Sequence, residues 1–329
     1  MDIIRQTPKR YYEMLSQYQN AQLLFSAIRL DLFSYMDQWT SVSELAQKTG
    51  YNEENLNLFL LAMNTIGLIQ RNENNYCNMP EGAKFLSKSS PYYLGETLLF
   101  REQMTSLSGI DEKIICAKTT GTSQYDFAQL ARVAVPEMYA TGRVASFLCE
   151  MECLYPNKDL KINLLDLGGG SGVLAIEFVK KYPQSKAVVF ETPAVASVSK
   201  EILKKYGVQE KVGVMGGDFN RDSIGGPYDL IIASGILYFA TENLPGFMQK
   251  ISNSLASAGY LLLIGQPAED TTCVARNTVS WLSGYLNGLP SAPTKKDVDT
   301  AIKNAGLFFV KTVNSGIFEG QLFEKRQEK

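Results

Sequence analysis

Between Ile162 and Tyr182 the chain passes from an apolar run, INLLDL, into GGGSG and then into a helical pattern, VLAIEFVKKY. A strand that runs into a glycine-rich turn and re-emerges as a helix lets the backbone turn tightly and approach a ligand, while the helix start offers unpaired N–H groups. Gly168, Gly170 and Gly172 therefore form a candidate binding loop. Further short apolar runs follow, KAVVF, KVGVM, YDLIIA and YLLLI, most of them separated by helical stretches. That alternation predicts a doubly wound α/β domain with a parallel sheet covered on both faces. The closing stretch AGLFFVKTVNSGIFEGQLFEK offers two strands across an NSG turn, so the sheet is expected to end in an antiparallel hairpin.

The first 90 residues read differently. RYYEMLSQYQNAQLLFSAIRLDLFSYM places Tyr12, Leu15, Tyr18, Leu23, Ile28 and Leu32 at helical spacings, which suits helices with one apolar face. Ser41 and Glu44 form the S-x-x-E capping pattern, and Gly50 supplies the stop. ENLNLFLLAMNTIGLI is a second, very apolar helix, and IQ and YC flank a polar NENN turn. Together these make a helix-turn-helix with a wing. A recognition helix for DNA needs basic residues on phosphates and polar ones on bases. From Tyr51 to Gln70 there is no Lys or Arg, and Glu53 and Glu54 occupy the end that would meet the phosphates. The apolar helix is instead expected to be buried all round, partly against a second subunit. Residues 91–155 carry helical patterns without strand signals and read as a linker between two lobes.

Composition narrows the chemistry. Apolar residues at 45% and charged residues at 20% are those of a globular chain, and 32 Lys and Arg against 34 Asp and Glu give a net charge of −2. The basic excess of nucleic-acid and anionic-membrane binders is missing, and no run approaches the roughly 20 apolar residues of a membrane span. The histidine count is zero, which excludes Ser-His-Asp and Cys-His catalysis, histidine zinc sites and an imidazole base. Ser171, which follows glycines as in a nucleophile elbow, thus has no base to activate it. Five cysteines without framework spacing, behind an opening MDIIRQTPKR, lead to the expectation of a cytoplasmic chain with free thiols. Cys149 and Cys153, four apart on a helix, are expected to be buried packing rather than a metal site.

The glycine loop departs from the dinucleotide fingerprint, because Val173 occupies the last glycine position. Asp166 beside it is poor company for a pyrophosphate and good company for a cation. Glu191, ending the second strand, is placed to accept both hydroxyls of a ribose. In GGDFN after the third strand, Asp218 can accept from an adenine amino group and Phe219 can lie against the ring. These features suit a sulfonium-bearing nucleoside better than NAD.

DLGGGSG, FETPAV, GDFN, YDLIIASGILYFATEN and the winged N-terminal region, in this order over nearly the whole chain, resemble the plant-type small-molecule O-methyltransferases. These include the caffeate, acetylserotonin and hydroxyneurosporene enzymes and bacterial antibiotic-tailoring relatives. The resemblance implies a Rossmann-like methyltransferase sheet at 156–329, a winged-helix dimerisation domain at 1–90, and a 91–155 linker that contributes to the substrate pocket. It implies S-adenosylmethionine as cofactor, with Asp166, Gly168 and Gly170 around its methionine part, Glu191 on the ribose, Asp218 and Phe219 at the adenine, and Ser234 as a further contact. It also implies a homodimer, a small-molecule acceptor and a place in secondary metabolism.

One departure bears on mechanism. Where the family carries a histidine base after YDLIIASGIL, this chain has Tyr238, and the family's acidic partner falls at Gly265 and Gln266. A tyrosine with its ordinary pKa near 10 is a poor base at neutral pH, so Tyr238 is expected to orient the acceptor, an already acidic phenol, enol or thiol. Two alternatives stay open: non-methylating chemistry with the same cofactor, such as decarboxylation, hydroxylation or a pericyclic reaction, and a ligand-binding regulator. For the acceptor, Met138, Tyr139 and Arg143 in PEMYATGR and Trp281 and Tyr285 in VARNTVSWLSGYLNG are the candidates, suited as a set to a planar aromatic molecule.

Overall fold

The computed structural model describes residues 7–115, 125–240, 242–265, 275–289, 293–315 and 318–326. Contacts divide the chain into two units, Met1–Glu102 and Gln103–Lys329. Among the described residues no helix is long and apolar enough to cross a membrane.

The first unit contains α1 (Lys9–Arg29), β1 (Thr40–Ser41), α2 (Val42–Thr49), α3 (Glu53–Thr65), β2 (Ile69–Asn72), β3 (Asn75–Asn78) and α4 (Pro80–Phe85), with α5 (Gly95–Met104) across the division. Ser41 Oγ accepts from the Glu44 N–H at 3.2 Å and the Glu44 carboxylate accepts from the Ser41 N–H at 3.3 Å, so the predicted capping box starts α2. Gly50 ends it with φ 73°. β2 and β3 form the hairpin, with β1 on the other side of β3. The burial of α3 is one-sided: Leu56, Leu60 and Met63 face the core, whereas Leu58 is 61% exposed. Three residues at spacings of four and three make one stripe of a helix, and Leu58 lies off it, on the side left to the expected second subunit. Of the residues expected on one apolar face, Tyr12, Leu15 and Tyr18 of α1 are exposed, whereas Ile28 is buried near its C-terminal end and Leu32 lies beyond it in a buried 3-10 turn.

The second unit opens with α6 (Ile110–Ile115), α7 (Phe127–Val133), α8 (Val135–Ala140) and α9 (Arg143–Leu154). Then come β4 (Asn163–Leu167), α10 (Val173–Lys181), β5 (Lys186–Glu191), α11 (Pro193–Tyr206), β6 (Val212–Gly216) and β7 (Tyr228–Ser234). After these follow α12 (Leu244–Ser254), β8 (Leu255–Ile264), α13 (Ala275–Leu286), α14 (Lys295–Asn304), β9 (Leu307–Ser315) and β10 (Phe318–Lys325). The described strands form one sheet in the order β6-β5-β4-β7-β8-β10-β9, parallel except for β10, which runs antiparallel to both β8 and β9. The predicted doubly wound sheet with its terminal hairpin is the observed one.

Side chains alternate across the sheet, which gives two core layers. Leu164, Val189 and Ile232 pack with α9, α10 and α11, while Leu165, Leu167, Ile231 and Leu263 pack with α12 and α14. Two residues beyond Leu164, Val189 and Ile232 on the same face come Asp166, Glu191 and Ser234. The alternation thus carries three polar side chains to one end of the sheet, beneath the helices that hold α9.

Cys149 and Cys153 on α9 are free thiols and exposed, which corrects the expectation of buried packing. The buried face of α9 is taken by Val144, Phe147 and Met151, and the cysteines fall on the opposite stripe. Brief iodoacetamide labelling of the folded protein, mapped by mass spectrometry, is therefore expected to modify both residues without denaturant; a pair that labels only after unfolding would contradict this placement.

Candidate functional site

The turn from β4 into α10 takes positive φ at Gly168 (69°) and Gly170 (56°), a region that glycine enters without steric cost. The Gly168 N–H donates to the Phe190 carbonyl at 2.9 Å, which pins the loop to β5. From the end of that strand the Glu191 carboxylate accepts from the Gly170 N–H at 3.0 Å and from the Thr192 N–H at 2.8 Å. Burial raises the Glu191 pKa from its ordinary value, against these two bonds, which favour the ionised form.

Asp166 lies under the loop at 1% exposure. Burial pushes its carboxyl up to about 7; the Arg143 charge and a bond from the Ala175 N–H act downward, and the Glu191 charge acts upward. Its Oδ2 has no hydrogen-bond partner among the described residues. An unpaired buried acceptor of this kind costs about 1 to 3 kcal/mol, more when charged.

Arg143 is the first residue of α9, behind Gly142 at φ 75°. Its Nη2 donates to Ser234 Oγ at the end of β7. Sequence reading set Arg143 with the acceptor; the structure brings it to Asp166 and Ser234 beside the glycine loop, because α9 packs on the face that presents them. Nothing in the local sequence of PEMYATGR signals that partnership.

The third strand delivers the remaining nucleoside candidates. The Gly217 N–H donates to the Glu191 carbonyl at 2.9 Å, which ties the β6 turn to β5. In that turn Asp218 is half exposed and its Oδ1 accepts from the Asn220 N–H at 2.9 Å. Phe219 packs on Phe247 of α12 with ring centroids 5.3 Å apart.

Tyr238 is half-buried in a 3-10 turn, Leu237–Phe239, that follows β7. Ile236, two residues before it, packs so closely on Gly168 that a Cβ there would overlap it. The segment that leads into the Tyr238 turn thus touches the candidate cofactor loop through Ile236. Gly265 ends β8 with φ 116°, and Gln266 lies outside the described residues.

The other acceptor candidates do not gather at this point. The Tyr139 hydroxyl donates to Glu177 of α10 at 2.9 Å, and burial with the nearby Tyr206 and Glu177 drives its pKa well above the tyrosine range. Met138 packs against the core beneath α9 and α10. Tyr285 is half-buried on α13, and the side chain of Trp281 lies outside the described residues. What sequence reading missed is an aromatic row that reaches the Tyr238 turn. Tyr125 and Phe127 have centroids 5.8 Å apart, and Phe127 meets Phe239 edge-on at 5.5 Å and 88°. The only prior signal was a pair of aromatics two residues apart in QYDFAQ, a spacing with no periodic meaning.

The sequence model of the O-methyltransferase domain family matches residues 109–278, half of the chain. Among curated relatives, the chain is 23% identical to the tetracenomycin polyketide synthesis 8-O-methyl transferase TcmO of Streptomyces glaucescens, over 93% of each chain. It is 22% identical to the N,N-dimethyltransferase OxyT of Streptomyces rimosus, over 89% of each. Its fold is similar to that of human N-acetylserotonin methyltransferase solved in complex with SAM, with a TM-score of 0.74 at 18% identity, covering 99% of this chain and all of that one. With a glycine loop between β4 and α10, carboxylates at the ends of β4 and β5, and a family match over half its length, this chain belongs to the O-methyltransferase family and is an S-adenosylmethionine-dependent methyltransferase.

Proposed function

We propose that the chain transfers the methyl group of S-adenosylmethionine to a hydroxyl of a small aromatic or enolic acceptor. In this reading Asp166, Gly168, Gly170, Glu191, Asp218, Phe219 and Ser234 hold the cofactor, Arg143 joins them, and Tyr238 orients the acceptor. The observation that carries it is the buried Asp166 Oδ2 without a partner, within electrostatic reach of the Arg143 guanidinium. A carboxyl oxygen in need of a donor and a guanidinium that feels its charge suit the ammonium and carboxylate of an amino-acid end, and the residues present therefore fit the cofactor. Glu191 is fixed by two backbone N–H groups and retains lone pairs for ribose hydroxyls.

When bound, the cofactor supplies a methyl group on a positively charged sulfur. The side chains then have two tasks, to align the acceptor oxygen with that carbon and to tolerate its charge. Alignment alone contributes about 7 to 11 kcal/mol in well-oriented systems. No imidazole is present to take the acceptor proton, so an acceptor that is already ionised suits this site best. Tyr238 donates to or packs against that oxygen rather than deprotonating it. The likeness to TcmO, a polyketide 8-O-methyl transferase by name, supports a polyketide-like, secondary-metabolic acceptor.

The domain reading is part of the proposal. Residues 1–90 form a homodimerisation domain, 91–155 contribute to the acceptor pocket, and 156–329 bind the cofactor. The exposed apolar face of α1, with Tyr12, Leu15 and Tyr18, supports pairing with a second copy. Sedimentation of the wild type is expected to give a dimer, and Leu15→Glu with Tyr18→Glu a monomer; a wild-type monomer would remove the dimer reading.

A cation binds Asp166 best when the carboxyl is ionised, and the free protein holds it near pKa 7. Affinity for S-adenosylmethionine, measured by titration calorimetry, is therefore expected to rise as pH increases from 6 through 7, because less of the protein must release a proton on binding. Asp166→Asn should weaken binding about 10- to 100-fold and flatten most of that rise. Undiminished affinity in this variant would sink the cofactor assignment. Tyr238→Phe is expected to lower kcat by less than about tenfold, against the 10²- to 10⁴-fold typical of a lost general base; a larger loss would make Tyr238 the proton acceptor.

A further inference from the structure

Asn220 stands between two loops that the cofactor and the acceptor use separately. It follows Asp218 and Phe219 in the turn after β6, and its two donors go to different partners. Its backbone N–H donates to Asp218 Oδ1 at 2.9 Å. Its side-chain Nδ2 donates to the Phe239 carbonyl at 2.9 Å, across 19 residues of sequence. The orientation of the amide is fixed, because its oxygen has no proton to give to a carbonyl. One residue therefore touches both the carboxylate assigned to the adenine amino group and the turn that carries Tyr238.

Both ends of this link are held. Lys250 of α12 donates through Nζ to the carbonyls of Phe219 and Asp222, each at 2.8 Å, so the turn is tied to a helix on both sides of Asn220. The Asp218 N–H donates to Asp222 Oδ2 at 2.8 Å and the Asp222 N–H donates to the Asp218 carbonyl at 2.7 Å, which closes the turn on itself. At the other end, the peptide unit that joins Phe239 to Ala240 is bound at both of its polar atoms. Its oxygen accepts from Asn220, and its N–H donates to the Leu237 carbonyl at 3.2 Å. A 3-10 turn has poor hydrogen-bond geometry of its own, so an outside tie to the carbonyl of its last residue bears directly on its order. On its other oxygen Asp218 meets Arg221 Nε at 3.5 Å, an exposed pair of little worth in water. A ligand donor on this carboxylate therefore adds a restraint that the free turn lacks.

We propose that Asn220 is a positioning residue that couples the adenine loop to the acceptor turn. An adenine amino group on Asp218 fixes the carboxylate that holds the Asn220 N–H, Asn220 fixes the Phe239 carbonyl, and a bound cofactor thereby sets Tyr238 in place. An occupied cofactor site and an ordered turn favour each other, and the effect is reciprocal, since a ligand that stabilises one state of the turn binds more tightly when the turn is already in that state. The acceptor is accordingly held more tightly by the loaded protein than by the empty one. This rests on the cofactor reading above, with Asp218 at the adenine.

Amide hydrogen exchange followed by NMR reads the turn directly, because the Ala240 N–H exchanges through local opening. The wild type and two variants of similar size, Asn220→Leu and Asn220→Asp, are compared free and saturated with S-adenosylhomocysteine, whose binding is first recorded by calorimetry. In the wild type the bound nucleoside is expected to slow exchange at Ala240 at least about fivefold. In both variants the slowing should fall below about twofold, while the Gly172 amide in the cofactor loop is still slowed as in the wild type. A structural role alone would speed exchange in the free and the bound variant alike and leave their ratio unchanged. Asn220→Asp keeps the backbone bond to Asp218 and sets a carboxylate against the Phe239 carbonyl, so a loss shared by both variants identifies the donor rather than packing. Absence of S-adenosylhomocysteine binding overturns the cofactor reading and the coupling with it. Binding without slower exchange at Ala240, or a variant that retains the wild-type ratio, overturns the coupling alone.

Discussion

A carboxyl group buried at the end of the central strand is the feature on which the site depends. Asp166 follows two apolar strand residues, Leu164 on one layer and Leu165 on the other, and alternation sends it to the layer capped by α9 and α10. There it meets the Arg143 charge and retains an acceptor oxygen without a partner. Such a group is costly in the free protein, and its cost is relieved by a ligand that brings positive charge and donors. Glu191 and Ser234 share the face of Asp166 but lie two residues further along, since Asp166 is level with Val189 of β5 and Ile232 of β7.

The lack of histidine shapes the chemistry as strongly as any residue that is present. With a donor activated by its own charge, methyl transfer requires alignment more than proton abstraction, and an acidic acceptor reduces the need further. Tyr238 is tied to this economy by position, two residues beyond the Ile236 side chain that closes over the loop.

The amino-acid sequence by itself determined the alternation of strands and helices, the glycine loop, the terminal hairpin, the capping box at Ser41 and the family, because each rests on local periodicity or on short contiguous motifs. It also determined the exclusion of imidazole chemistry, which needs only a count. Tertiary structure alone decided which side of α3 and α9 the core covers, and so exposed Cys149 and Cys153 where burial was expected. It brought Arg143 to Ser234, engaged Tyr139 with Glu177, and joined Lys113 to Asn287. Those pairings connect residues 38 to 174 positions apart. No spacing rule reaches that far, since the partner of a long side chain is chosen by how helices lie on the sheet and by which charges are left together when water is removed.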